Sequence, residues 1–135
     1  MTDRAEFEQL VREIYTARVR GDMDALMRSW APDARFELRG DPAASPVAAR
    51  AVGAENIRTQ LASLVQAFTF HSYDAIDILI DGSKAAVRAR IRLTSTINGQ
   101  TGETEVADFI EVKDGRVVSF VQFCDTAFAA KLAVK

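Results

Sequence analysis

The stretch from Val87 to Cys124 constrains the fold most, because two turn signals divide it into three strand-like runs. The pair Asn98-Gly99 favours a two-residue turn, since both central positions of a type I′ turn need a positive φ. A two-residue turn there places Ala89 opposite Asp108 on the neighbouring strand. We therefore predict an antiparallel meander whose register fixes which side chains face inward.

Alternation along this meander separates an apolar face from a charged one, since successive side chains of a strand point to opposite faces. The predicted apolar face carries aliphatic side chains: Val87, Ala89, Ile91, Leu93, Val106, Ile110 and Val112. The predicted outer face carries charges that pair across the strands: Arg88, Arg90, Arg92, Glu103, Glu105 and Glu111. Asp108 is the acid that falls on the apolar face instead.

A carboxylate at the position of Asp108 is costly unless it is protonated, partnered or next to a cavity. Two interpretations stay open: a structural acid bonded to backbone donors or a tyrosine, or an acid that lines a pocket. The small Ala89 opposite it leaves room beside the carboxyl group, so we include Ala89 in the predicted ligand-binding wall. A pocket acid should have a raised pKa, whereas a structural acid held by backbone donors should have a lowered one.

Composition and charge exclude several classes of function. At 135 residues the chain is predicted to form one domain, residues 1–135, with a formal charge of −2 and a pI near 5.4. Without a block of Lys and Arg, these values argue against nucleic acid and membrane surfaces as partners. The single Cys124 suits a reducing cytoplasm, and no apolar run reaches the roughly 20 residues of a membrane span.

The residues that bind metals and phosphates are scarce. His71 is the only histidine, and the register predicts that it faces outward. Neither a cluster of metal ligands nor a glycine-rich phosphate loop is present in the sequence. We therefore predict no metal and no cofactor.

Apolar residues at three- and four-residue spacings predict three helices before the meander. The first runs from about Asp3 to Arg20 and ends at Gly21, and its buried stripe includes Arg18. Asp22 can cap a short second helix that carries Trp30. The third is predicted over Ala54–Phe68.

Strands are predicted over Ala34–Gly40 and Phe70–Ile80, with a loop over Asp41–Gly53 between the first strand and the third helix. A two-residue turn at Asp81-Gly82 would place Asp74 opposite Ala89, on the same apolar face as Asp108. A single bulge would undo this placement, because a one-residue slip exchanges the two faces.

The last hairpin turns at Lys113-Asp114-Gly115, predicted as a three-residue loop that pairs Asp108 with Phe120. The side chains predicted to face inward are Val118, Phe120, Gln122 and Cys124. Those predicted to face outward are Phe109, Val117, Val121 and Phe123. This apolar outer surface predicts a homodimer packed through the sheet. Asp125 is predicted to cap a short terminal helix.

The order of these elements resembles the nuclear-transport-factor-two-like superfamily, over about residues 5 to 130. "RGDMDAL" and "WAPDARFEL" resemble the opening of its SnoaL-like and ketosteroid-isomerase-like branches. "VGAENIRTQL" resembles their third-helix start, and "DFIEVKDGRVVSF" resembles their last hairpin. The resemblance implies an α+β, cystatin-like fold: a cone-shaped curved antiparallel sheet wrapped around three N-terminal helices, with an internal pocket.

Aligned with ketosteroid isomerases, Asp108 falls where that family keeps a protonated aspartic acid in its oxyanion hole. Two positions depart from the family pattern. The general-base aspartate aligns with Leu38, which cannot move a proton. The oxyanion tyrosine aligns with Ile14, and Tyr15 is rotated from it by about 100° on the helix. Steroid isomerisation by the family mechanism is therefore not expected.

Two functions remain open. The first is a cofactor-independent acid–base isomerase, cyclase or dehydratase acting on a small apolar molecule. Asp108 would move the proton, and Tyr15 or Asp74 would assist. The second is a module of the same fold that binds a hydrophobic ligand, or dimerises, without catalysis. For either function the predicted pocket wall is Trp30, Leu38, Ala89, Phe120, Gln122 and Cys124, although Tyr15, Trp30 and Cys124 also suit plain core positions.

Overall fold

The computed structural model describes residues 3–135, in which one six-stranded sheet curves around the helices. The helices are α1 Arg4–Arg20, α2 Met23–Arg28, α3 Ala54–Ala67 and α4 Thr126–Ala133. The strands are β1 Trp30–Arg39, β2 Ala49–Val52, β3 Phe68–Asp81, β4 Lys84–Ser95, β5 Thr101–Lys113 and β6 Arg116–Cys124. The predicted α+β cone is confirmed.

Aspartate side chains cap the start of three of the four helices among the described residues. Asp3 caps α1 by accepting from the backbone N–H of Glu6, and Gly21 ends it in the left-handed conformation at φ 66°. Asp22 caps α2, and Asp125 caps α4 by accepting from the backbone N–H of Phe128 at 3.1 Å.

The spacing predicted that Trp30 lies on the second helix, and this is wrong. Helix α2 ends at Arg28, and β1 begins at Trp30. Trp30 pairs with Val117 of β6, and the register then shifts before Arg35. Pro32 lies within this irregular stretch, where a missing backbone N–H does not interrupt a regular ladder. Strand pairing across the sheet therefore outweighed the local helical pattern.

The sheet has the order β2-β1-β6-β5-β4-β3, and β1 and β6 pair in parallel while the other pairs are antiparallel. The parallel pair brings the first strand against the last and sets Leu38 beside Gln122 on the inner face. Strand β2 lies at the end of the segment predicted as a loop, and it pairs with β1. The alanine-rich sequence gave no alternation from which to predict it.

The predicted pairing of Ala89 with Asp108 is wrong. Asp108 pairs with Val87, and Ala89 pairs with Val106. The loop between β4 and β5 is wider than a two-residue turn, because Ser95 donates its backbone N–H to Gln100 across it. The slip is two residues, so every side chain keeps its predicted face.

The hairpin between β5 and β6 also differs from the prediction. Asp114 and Gly115 form a two-residue turn with φ of 52° and 76°, and Asp108 pairs with Gln122 rather than Phe120. The shorter turn pairs Val117 with Val112, so Val117 faces inward and is fully buried instead of facing outward, and a bulge between Glu111 and Val112 then restores the predicted faces. Beyond the bulge, Phe120 is buried and Gln122 lies on the inner face, as predicted.

The core lies inside the curve of the sheet. Helix α1 supplies Phe7 and Val11 with no exposed surface, and α3 supplies Ile57 with none. These side chains pack on the inner face of the strands, where an apolar cavity also lies. Among residues 3–135, no helix is long and apolar enough to cross a membrane.

Candidate active site in the cone

Asp108 is the centre of a buried hydrogen-bonded cluster. Its side chain has no exposed surface. Oδ2 accepts from the Tyr15 hydroxyl at 2.6 Å and from the Tyr73 hydroxyl, and Oδ1 accepts from Nε2 of Gln122 at 2.9 Å. The same Nε2 also donates to the Tyr73 hydroxyl at 2.9 Å. Three side chains from α1, β3 and β6 therefore satisfy one carboxyl group.

The pKa values of Asp108, Tyr15 and Tyr73 are all raised, which favours their protonated forms. Burial raises the pKa of Asp108, and the bonds from Tyr15, Tyr73 and Gln122 only partly oppose that rise. Burial and the neighbouring Asp108 charge raise the pKa of Tyr15 and the pKa of Tyr73 well above their ordinary value. Both phenols are therefore protonated donors near neutral pH.

Tyr73 enters the cluster through two irregularities in β3. The register with β4 shifts once between Phe70 and Ser72 and again between Ala75 and Asp77. Between the shifts Tyr73 pairs with Ile91 and faces inward, whereas Asp74 pairs with Arg90 and is exposed on the outer face. The prediction that Asp74 shares the face of Asp108 is therefore wrong, and a bulge is the cause.

An apolar cavity of about 110 Å³ lies beside this cluster. An engineered cavity of roughly 150 Å³ stays dry and binds benzene, so the space suits a ligand with one small ring. Its wall includes the predicted residues Trp30, Leu38, Phe120, Gln122 and Cys124. Ala89 is fully buried in the sheet but is not on this wall, because β4 contributes Ile91 and Leu93 there instead.

Asp108 and Tyr15 lie behind the wall rather than on it. Tyr73 and Gln122 are on it, and both touch Asp108, so they connect the carboxyl group to the cavity. Ile14, where the family keeps its oxyanion tyrosine, lines the cavity, and Tyr15 points to Asp108 from the adjacent position of α1.

Arg18 of α1 and Asp125 are the charged side chains on the cavity wall. Arg18 is 8% exposed, and burial lowers its pKa to about 10. Asp125 is exposed at the start of α4, where its Oδ1 caps the helix. The cavity wall therefore includes one buried cationic side chain and one exposed anionic side chain.

Helix α4 covers the cavity with Phe128, Ala129 and Leu132. Phe128 packs on Gly102 of β5 so closely that a Cβ there would lie 2.6 Å from its ring. Asn98 holds the other end of α4 by donating to the carbonyls of Lys131 and Val134 at 3.1 and 2.7 Å.

An α+β cone with an apolar cavity and a buried acid defines a protein of the nuclear-transport-factor-two-like superfamily. The family model of the SnoaL-like domain matches residues 11–120, and the chain belongs to that family. A search of the curated proteins gave no match.

Solved structures with the same fold include three whose descriptions differ. An NTF2-like protein of unknown function from Burkholderia pseudomallei is 21% identical, with a TM-score of 0.82 over 96% of this chain and 98% of its own. A candidate polyketide cyclase from Xanthomonas campestris is 18% identical, with a TM-score of 0.82 over 97% and 98%. An LEH-like epoxide hydrolase from M. tuberculosis is 19% identical, with a TM-score of 0.75 over 94% and 87%. At these identities the likeness establishes the fold.

Metal binding has no support in the described part of the chain. Within residues 3–135 no group of three His, Cys, Asp or Glu side chains is arranged to hold an ion. The absence of a metal and a cofactor stays a prediction.

Sequence reasoning missed two side chains of the site. Tyr73 was not considered, because the predicted register turned it outward. Arg18 carried a signal, since a cation within the apolar stripe of an amphipathic helix must find a partner or a cavity. Its place beside the pocket needed the packing of α1 against α3 and β3.

Proposed function

We propose that the protein is a cofactor-independent acid–base enzyme acting on a small apolar molecule with an oxygen function, such as an isomerase, cyclase or dehydratase. The observation that carries the proposal is the link from buried Asp108 through Tyr73 to the cavity. A fully buried acid with a raised pKa, beside an apolar pocket, is the arrangement expected of a general acid.

The hydrogen bonds between Asp108 and Tyr73 suggest how a proton moves from Asp108 to the ligand. When Asp108 is ionised, both tyrosine protons point to its carboxylate. When Asp108 is protonated, its own O–H needs an acceptor, and the Tyr73 oxygen is in contact with it. The Tyr73 proton then turns to an oxygen of the ligand. The net transfer is one proton from Asp108 to a carbonyl, hydroxyl or epoxide oxygen, with Tyr73 unchanged.

A proton must also leave the substrate carbon, and Asp125 is our candidate for its acceptor. It is the carboxylate on the cavity wall, and its Oδ2 is not used in capping α4. Proton loss to Asp125 and proton gain from Asp108 convert a ketone into its enol. The reverse transfers at another carbon give an isomer, so the protons balance.

Exchange of the α-protons of cyclohexanone in D2O, followed by proton NMR, tests this chemistry without knowledge of the natural substrate. We expect the protein to accelerate exchange by a factor on the order of 10². Asp108→Asn should abolish the acceleration, and the matched control Asp74→Asn, an exposed outer-face substitution, should retain it. Exchange at the buffer rate in the native protein would contradict the enzyme proposal.

Ligand binding without turnover is the second candidate. The observation that favours it is the complete cover of Asp108 by its three partners. The only tryptophan, Trp30, lies on the cavity wall, so its fluorescence should report cyclohexanone binding. Fluorescence change without exchange would support this candidate over the enzyme.

We also propose a homodimer that uses the outer sheet face. An apolar outer patch, defined as Leu79, Phe109, Val121 and Phe123, crosses β3, β5 and β6. Phe109 and Phe123 are 49% and 48% exposed and touch edge to face at 5.8 Å. Such a patch favours self-association.

We also propose a reducing cytoplasm as the location of the protein, and the free Cys124 supports this.

A further inference from the structure

We infer that the ligand of this cavity is a small apolar monocarboxylate, and that Arg18 binds its carboxylate while Tyr73 reaches a second oxygen function. This inference rests on the proposed function, because it names the ligand class of the same cavity. It is carried by the contacts of Arg18, which the proton transfer itself does not use.

Only part of the Arg18 guanidinium is occupied by protein. Nη2 donates to the carbonyls of Leu64 and Phe68 at 3.2 and 2.9 Å, which ties α1 to the end of α3. A guanidinium has five N–H donors. Nη1 and Nε meet no acceptor among the described residues, and neither is sealed within the protein. Because the side chain is on the cavity wall, these donors are open to a ligand.

The charge of Arg18 is also uncompensated. No ion pair among residues 3–135 includes it, although the exposed arginines Arg58 and Arg88 both have carboxylate partners. A buried cation without a counter-ion is costly. The ring of Phe70, with its centroid 3.7 Å from the guanidinium carbon, makes a cation–π contact but carries no net negative charge. A ligand carboxylate that accepts from Nη1 would supply the missing negative charge through a charge-assisted hydrogen bond.

The ligand's second oxygen function is placed at Tyr73 because Phe70 packs against both Arg18 and Tyr73. Its ring centroid lies 3.7 Å from the guanidinium carbon of Arg18 and 5.7 Å from the ring centroid of Tyr73. A molecule with one ring can therefore reach both side chains. Asp125 would repel an anion, but it lies at the exposed start of α4, so the ligand carboxylate belongs at the Arg18 end.

Matched ligands that differ only in charge test the inference. Cyclohexanecarboxylate and cyclohexanecarboxamide have the same shape, and neither absorbs where Trp30 is excited. We expect Trp30 fluorescence titrations at pH 7 to give a dissociation constant roughly 10- to 100-fold lower for the carboxylate, as charge-assisted hydrogen bonds predict. The carboxamide measures the apolar cavity of the proposed function on its own.

Variants of Arg18 separate charge from structure. Arg18→Gln removes the charge but keeps donors for Leu64 and Phe68, and it should bring the two dissociation constants within about twofold of each other. Arg18→Lys should retain part of the preference, and the exposed Arg20→Gln on the same helix should retain all of it. Circular dichroism identifies any variant that does not fold, in which case Arg18→Lys decides.

The outcomes separate the two proposals. Equal binding of both ligands by the native protein would overturn the carboxylate inference and leave the apolar cavity intact. A preference that survives in folded Arg18→Gln would also overturn it, because the anion would then be bound elsewhere. Binding of neither ligand would overturn the inference and the proposed function together.

Discussion

Tyr15 and Tyr73 stack face to face, with ring centroids 3.8 Å apart and planes 15° from parallel, and their hydroxyls share one oxygen of Asp108. Tyr73 lines the cavity, whereas Tyr15 lies behind it. Two tyrosines thus donate hydrogen bonds to the same carboxyl group, and only Tyr73 can also contact a ligand in the cavity.

This difference makes Tyr73→Phe and Tyr15→Phe a matched pair. Each removes one donor to Asp108, so each should raise the pKa of Asp108 further and cost about 1 kcal/mol of unfolding free energy. Only Tyr73→Phe should weaken binding of cyclohexanone, because only it removes a hydroxyl from the cavity wall. Trp30 fluorescence and chemical denaturation measure the two effects. Equal loss of binding in both variants would contradict the relay.

Asp108→Asn should change how stability depends on pH. Burial raises the native pKa of Asp108 above its ordinary value of 3.8, so the folded protein holds this proton more tightly than the unfolded chain. The stabilisation that comes from binding this proton is fully present below about pH 3.8, the ordinary pKa, and is lost as pH rises through the native pKa. Relative to the native protein, Asp108→Asn should therefore gain unfolding free energy from about pH 4 to pH 7.

Urea denaturation across this pH range measures the difference. Asp74→Asn, on the exposed outer face, serves as the control and should show no such gain. A native protein that becomes more stable relative to Asp108→Asn as pH rises would mean that the pKa of Asp108 is lowered. The interpretation of Asp108 as a structural acid would then replace its proposed role as a general acid.

Asp125→Asn separates capping from chemistry. Asparagine caps helices as well as aspartate, so α4 and the thermal midpoint should be unchanged. Loss of the carboxylate should remove most or all of the acceleration of cyclohexanone exchange, which is on the order of 10² in the native protein. Exchange at the native rate in Asp125→Asn would remove Asp125 as the proton acceptor and leave Asp108 untouched.

Phe109→Glu should dissociate the proposed dimer, since it places a charge at the centre of the apolar outer patch. Sedimentation velocity at micromolar concentration should show a dimer for the native protein and a monomer for the variant. Val134→Glu, at a residue 60% exposed near the chain end, is the control for added charge and should remain dimeric. A native protein that sediments as a monomer would rule out the interface.

Gly102→Ala should displace α4 from the cavity, because the new Cβ would lie 2.6 Å from the Phe128 ring. We expect a loss of about 1–3 kcal/mol in unfolding free energy, as for other overpacked sites. Phe128→Leu in the same chain should recover much of that loss, so a double-mutant cycle measures the contact. Additive effects of the two substitutions would show that α4 does not rest on Gly102.

The sequence determined the face on which Asp108 lies, although it gave the wrong partner. Both hairpin registers around Asp108 slipped by two residues, and the period of a strand is two, so the acid stayed on the apolar side. The helix caps Asp22 and Asp125 were equally predictable, because capping depends on neighbours within three residues.

Only the tertiary structure decided which side chains meet Asp108. The irregularity between Ala75 and Asp77 in β3 turns Tyr73 inward and Asp74 outward, and such a bulge depends on how a strand fits its partner across the sheet. Arg18 likewise became part of the cavity only through the end of α3, 46 and 50 residues away in sequence. Periodicity fixes a face from local residues alone, whereas a one-residue shift or a distant contact depends on the packing of the whole cone.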